Sequence, residues 1–241
     1  AERRSRDDQR GSVEGDGVNT LIAVVLTRVL AAPVQSWLAA FDGQPVELLT
    51  GGSMAWPRAQ RRANEREKFV RARDMALGGG YDALLLVQDD VIVPPDALPR
   101  LQAVLAGGAD VAYSLAVRRD AGHHWSALLE MRGEHHLLAL SEDETRARAV
   151  WGGVLDVPGI ALYCTLINRR ALRAMTCEIR GIHAADWYMA EDWQAAGLVQ
   201  RCDTGCRVGH QLDADTVLWP ALDAPEHWWY RAEPAGEGVP A

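Results

Sequence analysis

An α/β fold is predicted from three features of the sequence. Residues 83–87 (ALLLV) are an unbroken apolar run, bounded by Gly78-Gly79-Gly80 before it and Pro94-Pro95 after it. A short all-apolar run between turn signals suits a central parallel strand covered on both faces. Residues 20–26 (TLIAVVL) form a second such run, and 46–49 a short third strand. The segment 34–41 between them has a helical pattern and closes at Asp42-Gly43, giving strand, helix and strand in about 30 residues, the length of a βαβ unit.

The remaining elements follow in order. Residues 1–17 are charged and without periodicity and read as a disordered tail. The stretch 50–62, with Gly51-Gly52 and Trp56-Pro57, reads as a loop. Residues 64–77 predict a helix with Phe69, Ala72 and Ala76 on one face and Arg66, Arg71 and Arg73 among the polar positions. A helix is expected at 95–105, opened by Pro94-Pro95 near its first position and closed by Gly107-Gly108. Residues 111–117 are a strand that runs into Arg118-Arg119. The middle is less regular: short strands at 127–131 and 136–140, and an acidic loop at 141–148. A Gly-led strand at 158–167, a short helix at 169–175 and an amphipathic helix at 185–196 follow. Strands at 199–203 and 206–208 lead to Gly209-His210. The expected organisation is one domain over 18–231, with 232–241 flexible.

Composition is that of an ordinary globular protein, 48% hydrophobic and 24% charged. The net charge of −8 argues against broad phosphate-backbone binding of nucleic acid, and Lys68 is the only lysine. No apolar stretch reaches the ~20 residues of a membrane span, and no secretory signal is visible, so a cytoplasmic protein is expected. Cys164, Cys177, Cys202 and Cys206 form no CxxC pair and read as buried thiols, although Cys202, Cys206 and His210 also admit a zinc reading.

Chemistry is concentrated where the central strand ends. Asp89 and Asp90 stand side by side at its carboxyl end, where open α/β sheets bind ligands. Adjacent carboxylates repel unless a positive charge lies near, and a hard divalent cation bridging a diphosphate is one answer. A solvated Asp-Asp turn that caps the next helix is the other. Nine tryptophans against two phenylalanines add flat faces suited to sugar rings or to packed loops.

Taken in order, four segments resemble family 2-type glycosyltransferases with the GT-A fold. VRARDMAL at 70–77 is similar to that family's Arg-Asn helix motif, with Asp74 where Asn is usual. YDALLLVQDDVIVPPDAL at 81–98 resembles its strand carrying the DxD motif. PGIALYCTLINRRAL at 158–172 resembles its Gly-rich strand, and DWYMAEDWQAAGLVQRCDTGCRVGH at 186–210 its acidic helix and terminal His. The resemblance implies a mixed sheet flanked by helices, a nucleotide-diphosphate sugar donor, Mn²⁺ or Mg²⁺, and a hydroxyl acceptor. That acceptor is a glycan, a lipid, a protein, a small molecule or a modified DNA base.

By position, the resemblance assigns Thr27 and Arg28 to the base and ribose, with Glu47 facing the base. It assigns Asp90 and His210 to the metal, and Asp89 to the ribose or to the metal through water. Arg73, or Arg118-Arg119, would donate to phosphate, although Arg119 reads better as a solvated side chain. Asp186 would take the acceptor proton, with Gly159 and Trp187 shaping the acceptor side and Trp228-Trp229 forming a lid over donor. Glu191 and Asp192 read as the polar face of their helix. Gln88 and Ala185 stand where the family carries acids, which keeps an inactive nucleotide-sugar-binding module as an alternative. A nucleotidyltransferase is the other, but the first strand's exit, Thr-Arg-Val-Leu, lacks its Gly-rich signature.

Overall fold

The computed structural model describes residues 18–27, 30–53, 55–119, 122–132, 136–181, 183–225 and 227–235. The first half of the chain holds β1 (Thr20–Val25), α1 (Ala31–Ala40), β2 (Val46–Leu49), α2 (Arg58–Gly78), β3 (Ala83–Gln88), β4 (Val91–Ile92), α3 (Ala97–Ala106) and β5 (Val111–Leu115). The middle holds β6 (Leu128–Arg132), β7 (His136–Ala139), a 3-10 turn at Leu140–Glu142, α4 (Glu144–Val150) and β8 (Val154–Asp156). The remainder is β9 (Cys164–Asn168), α5 (Arg169–Ala174), α6 (Ala185–Ala195), β10 (Gln200–Arg207), β11 (Gly209–Gln211), β12 (Thr216–Pro220) and β13 (Tyr230–Pro234).

A seven-stranded sheet in the order β2-β1-β3-β9-β5-β10-β8 forms the centre. It is mixed: β1 runs parallel to β2 and β3, while β9 runs antiparallel to both β3 and β5. The alternation of strand side chains sorts the core into two layers. Leu21, Ala23, Leu84 and Leu86 pack against Phe69, Ala72 and Ala76 of α2 and Met189 and Trp193 of α6. Ile22, Val24, Leu85 and Val87 face Trp37 of α1, its C-cap residue Phe41, and Leu101 and Val104 of α3. Continuous apolar strands covered on both faces are what such a sandwich requires.

Two pairings position the site. The parallel register sets Val25 opposite Gln88, so the exits of β1 and β3 lie side by side. A second, four-stranded sheet in the order β13-β12-β11-β4 takes over there, and His210 of β11 is opposite Val91 of β4.

Several expectations need correction. The central strand is parallel to one neighbour only. The helix expected at 64–77 begins at Arg58, since Pro57 stands at the N-cap and the Arg, Ala and Gln residues after it are good helix formers. Pro94 and Pro95 precede the Asp96 N-cap of α3 rather than entering its first turn. The acidic loop at 141–148 is mostly helical: Asp143 caps α4 by accepting the Arg146 N–H at 3.0 Å. The strand expected from 158 starts only at Cys164. At the other end β13 carries a ladder to Pro234, past the boundary expected at Arg231, because β12, unassigned from the sequence, supplies its partner. The tail at 1–17 lies outside the described residues.

Candidate active site

Asp89 and Asp90 are buried, at 8% and 2% exposure, so the solvated-turn reading fails. Asp89 Oδ2 accepts the Thr27 backbone N–H at 2.6 Å, tying the exits of β1 and β3 together. Asp90 Oδ2 lies 2.7 Å from Arg119 Nη2 and 3.4 Å from His210 Nε2. Arg119 is therefore an ion-pair partner of the acid, not the solvated side chain expected.

His210 is 1% exposed, with its ring 4.6 Å from that of Tyr163. Its Nδ1 is 2.7 Å from the Val117 carbonyl. A carbonyl only accepts, so Nδ1 carries a proton, and in the neutral ring Nε2 is a lone pair. That Nε2 is buried and has no hydrogen-bond partner. A buried lone pair facing a carboxylate oxygen is a mixed nitrogen and oxygen donor pair that fits a divalent cation. Among the described residues no three His, Cys, Asp or Glu side chains converge as a metal site. Asp90 and His210 would thus supply two ligands, leaving other positions to phosphate and water.

One face of α2 forms the opposite wall. Arg58, Arg61, Arg62 and Glu65 line a cleft of about 300 Å³ with Thr27, Asp89, Asp90 and Arg119. Arg61 Nε is buried without a hydrogen-bond partner. Burial, with the negative charges of Asp186, Asp90 and Asp89 behind it, pushes the Glu65 carboxyl up to about 7, and Lys68 works against this. Lys68 is only 4% exposed, and its Nζ donates to the Leu26 carbonyl at 2.5 Å and the Gly51 carbonyl at 2.6 Å. It is a strut beneath the cleft, and burial lowers its pKa.

A second recess of about 200 Å³ adjoins the first, with Ala184 lining both. Asp186, in the first turn of α6, lines it with Trp187, His183, Arg118 and Ile160. Asp186 accepts the Trp187 N–H at 2.9 Å, and burial holds its carboxyl above the usual range against that bond. Trp187 stacks on His183 at 4.4 Å and donates Nε1 to Glu191 Oε1 at 2.8 Å. Glu191 is therefore a prop for the indole, while Asp192 pairs with Arg180 at 2.7 Å. Gly159 is buried beside Ile160 at the edge of this recess.

The structure brings together Thr27, Asp89 and Asp90 around one cleft, with His210 buried against Asp90, and Asp186 and Trp187 around its neighbour. It does not bring Glu47 or Arg73. Glu47 is exposed on the edge strand β2 and lines neither recess. Arg73 lies two turns further along α2 than Glu65, where it donates to the Met175 carbonyl at 2.7 Å and pairs with Asp74 at 2.8 Å. Arg28 lies outside the described residues. Trp228 and Trp229 form no lid over the donor side: Trp229 stacks on His124 and donates to the His123 carbonyl at 3.1 Å, strapping that loop. All four cysteines are buried free thiols. Cys202 and Cys206 belong to opposite layers of the core, and His210 faces Asp90, so the zinc reading falls.

Arg58, Arg61, Arg62 and Glu65 are the residues the sequence reading missed. Their signal is an i, i+3, i+4, i+7 stripe, but its three arginines fall in the segment read as loop and only Glu65 in the expected helix.

No family model matches the chain, and no curated protein matches it. Its structure is similar to that of A197 from STIV, with a TM-score of 0.58 and 16% identity over 92% of this chain and 97% of that one. It is also similar to GalNAc-T7 solved with UDP, GalNAc and Mn²⁺, with a TM-score of 0.51 and 13% identity over 81% of this chain. The chain spans 44% of that enzyme. The fold is thus of the GT-A type, a mixed sheet flanked by helices as found in nucleotide-sugar transferases.

Proposed function

We propose that this protein transfers a sugar from a nucleoside diphosphate donor to a hydroxyl acceptor, with Mn²⁺ or Mg²⁺ held by Asp90 and His210. The observation that carries the reading is the buried His210 Nε2, 3.4 Å from the Oδ2 of Asp90, which itself lines an arginine-rich cleft. When bound, the cation offsets charge on the departing diphosphate as a Lewis acid.

The chain's own residues do the rest. Four guanidinium groups, Arg58, Arg61, Arg62 and Arg119, face three carboxyl groups, Glu65, Asp89 and Asp90, so the cleft favours an anion. Arg61, with its buried and unpartnered Nε, is best placed to meet a phosphate oxygen. The tie from Asp89 to Thr27 shapes the floor under the nucleoside. In the adjoining recess Trp187 offers a flat face to the acceptor. Asp186 accepts the acceptor hydroxyl's proton as its oxygen bonds to the anomeric carbon and the bond to the diphosphate breaks. Burial raises the basicity of its ionised form.

The test is a thermal-shift titration with nucleoside diphosphates, with and without Mn²⁺. A melting-temperature rise that needs both, and is lost in Asp90→Asn, supports the reading. Binding of neither, or binding indifferent to Asp90→Asn, overturns it. A second reading, a module that binds the donor without turnover, is favoured by Gln88 and Ala185 at positions where acids are usual. Release of nucleoside diphosphate from the donor, absent in Asp186→Asn, separates the two.

A further inference from the structure

We infer that Arg119 stands in for the cation and couples cation binding to nucleotide binding. The inference rests on the function proposed above and concerns the same site. Arg119 Nη2 and His210 Nε2 approach one and the same carboxylate oxygen, Asp90 Oδ2, at 2.7 and 3.4 Å. Arg119 and Asp90 both line the cleft, whereas His210 does not. A divalent cation shared by Asp90 and His210 would sit within a few ångströms of that guanidinium. Like charges at such a distance in a partly buried site repel. The two compete for the same oxygen of Asp90, and the repulsion favours Arg119 giving it up when the cation arrives.

The structure lets it leave. Asp90 is 3% exposed at its side chain, but Arg119 is 35% exposed. The backbone leading into it is anchored: Arg118 N–H donates to the His124 carbonyl at 2.8 Å and Ser126 N–H to the Ala116 carbonyl at 2.8 Å. The long side chain can swing from that support. Its new partner is the diphosphate, which would lie in the same cleft beside Arg58, Arg61 and Arg62. Without nucleotide the displaced guanidinium has no such anion, and the cation competes with an intact ion pair. With nucleotide, the displaced Arg119 gains a charge-assisted fork to phosphate. Arg119 is thus a positioning residue: it pairs with Asp90 until the cation displaces it and makes the two ligands bind cooperatively.

The test is the Mn²⁺ dissociation constant, read by electron paramagnetic resonance, with and without UDP or GDP, on the whole chain. The unaltered protein should bind Mn²⁺ at least about tenfold more tightly with the fitting nucleotide. Arg119→Gln should tighten Mn²⁺ binding without nucleotide by about tenfold and shrink the nucleotide-dependent gain. Unchanged or weaker Mn²⁺ binding in the folded variant overturns the inference. A crystal structure of the unaltered protein with Mn²⁺ and nucleotide decides the matter independently of the variant. Arg119 on a phosphate oxygen supports the inference, and Arg119 still on Asp90 beside a bound Mn²⁺ overturns it. Should Mn²⁺ bind nowhere near Asp90 and His210 in any of these, the proposed function fails instead, which is a separate result.

Discussion

Glu65 is the residue with the most unusual setting. Its carboxyl is held up to about 7 by burial and by Asp186, Asp90 and Asp89. An unfolded Glu ionises near its ordinary value of 4.5, so between that pH and about 7 the unfolded chain gives up a proton that the folded one keeps. The folded state therefore loses stability as pH rises through this window. The melting temperature of the metal-free protein should fall from pH 5 to pH 8, and Glu65→Gln should flatten that fall. Asp186 is raised as well and leaves a residual slope. An identical pH profile in the variant would refute the assignment. Asp90→Asn should lower turnover by about two to three orders of magnitude, since it removes the cation's carboxylate. Assays at saturating donor and Mn²⁺ check this. Asp89, Asp90 and His210 were readable as candidates because their residue types announce metal chemistry. Glu65 was not, because its importance arises only when folding surrounds it with other acids.

Helix α2 shows how much one element depends on a single interior charge. Lys68 ties its middle to the carbonyls of Leu26 and Gly51, joining the helix to the exit of β1 and to the loop after β2. Lys68→Met keeps the stem but leaves those carbonyls and the nearby Asp89 without their cation. The loss should be about 3 kcal/mol in urea unfolding, the usual cost of breaking a buried charged contact. β11 has the opposite requirement, for absence of a side chain. A Cβ on Gly209 would meet the Trp219 ring at 2.6 Å and Val217 at 2.8 Å. Gly209→Ala should therefore cost about 1–3 kcal/mol by overpacking, and also weaken Mn²⁺ binding by displacing His210. Strands β1, β2 and β3 were legible because fully buried strands are written as apolar runs. The start of α2 and the whole of α4 were hidden among Gly, Pro and acidic residues that resemble loop. β12 was missed because it forms part of a small sheet with its own partner rather than the main core.

At the scale of the whole molecule, the site is assembled by topology. Two sheets meet where β3 ends: the large one presents Asp89 and the small one holds β4 against β11. The mixed sheet and its helices were foreseeable from alternating strand and helix patterns, but the second sheet was not, since β4 has only two residues. Its formation needs β12 and β13 as further layers, with β12 pairing His210's strand through Leu218.

That dependence bears on synthesis. Asp89 and Asp90 leave the ribosome first, and the histidine that faces them arrives more than a hundred residues later, followed by the strands that brace it. A chain made only as far as β5 can therefore bury much of its core while Asp90 still lacks the partner it has in the finished fold. The two halves of the proposed site meet only after β12 and β13 have emerged.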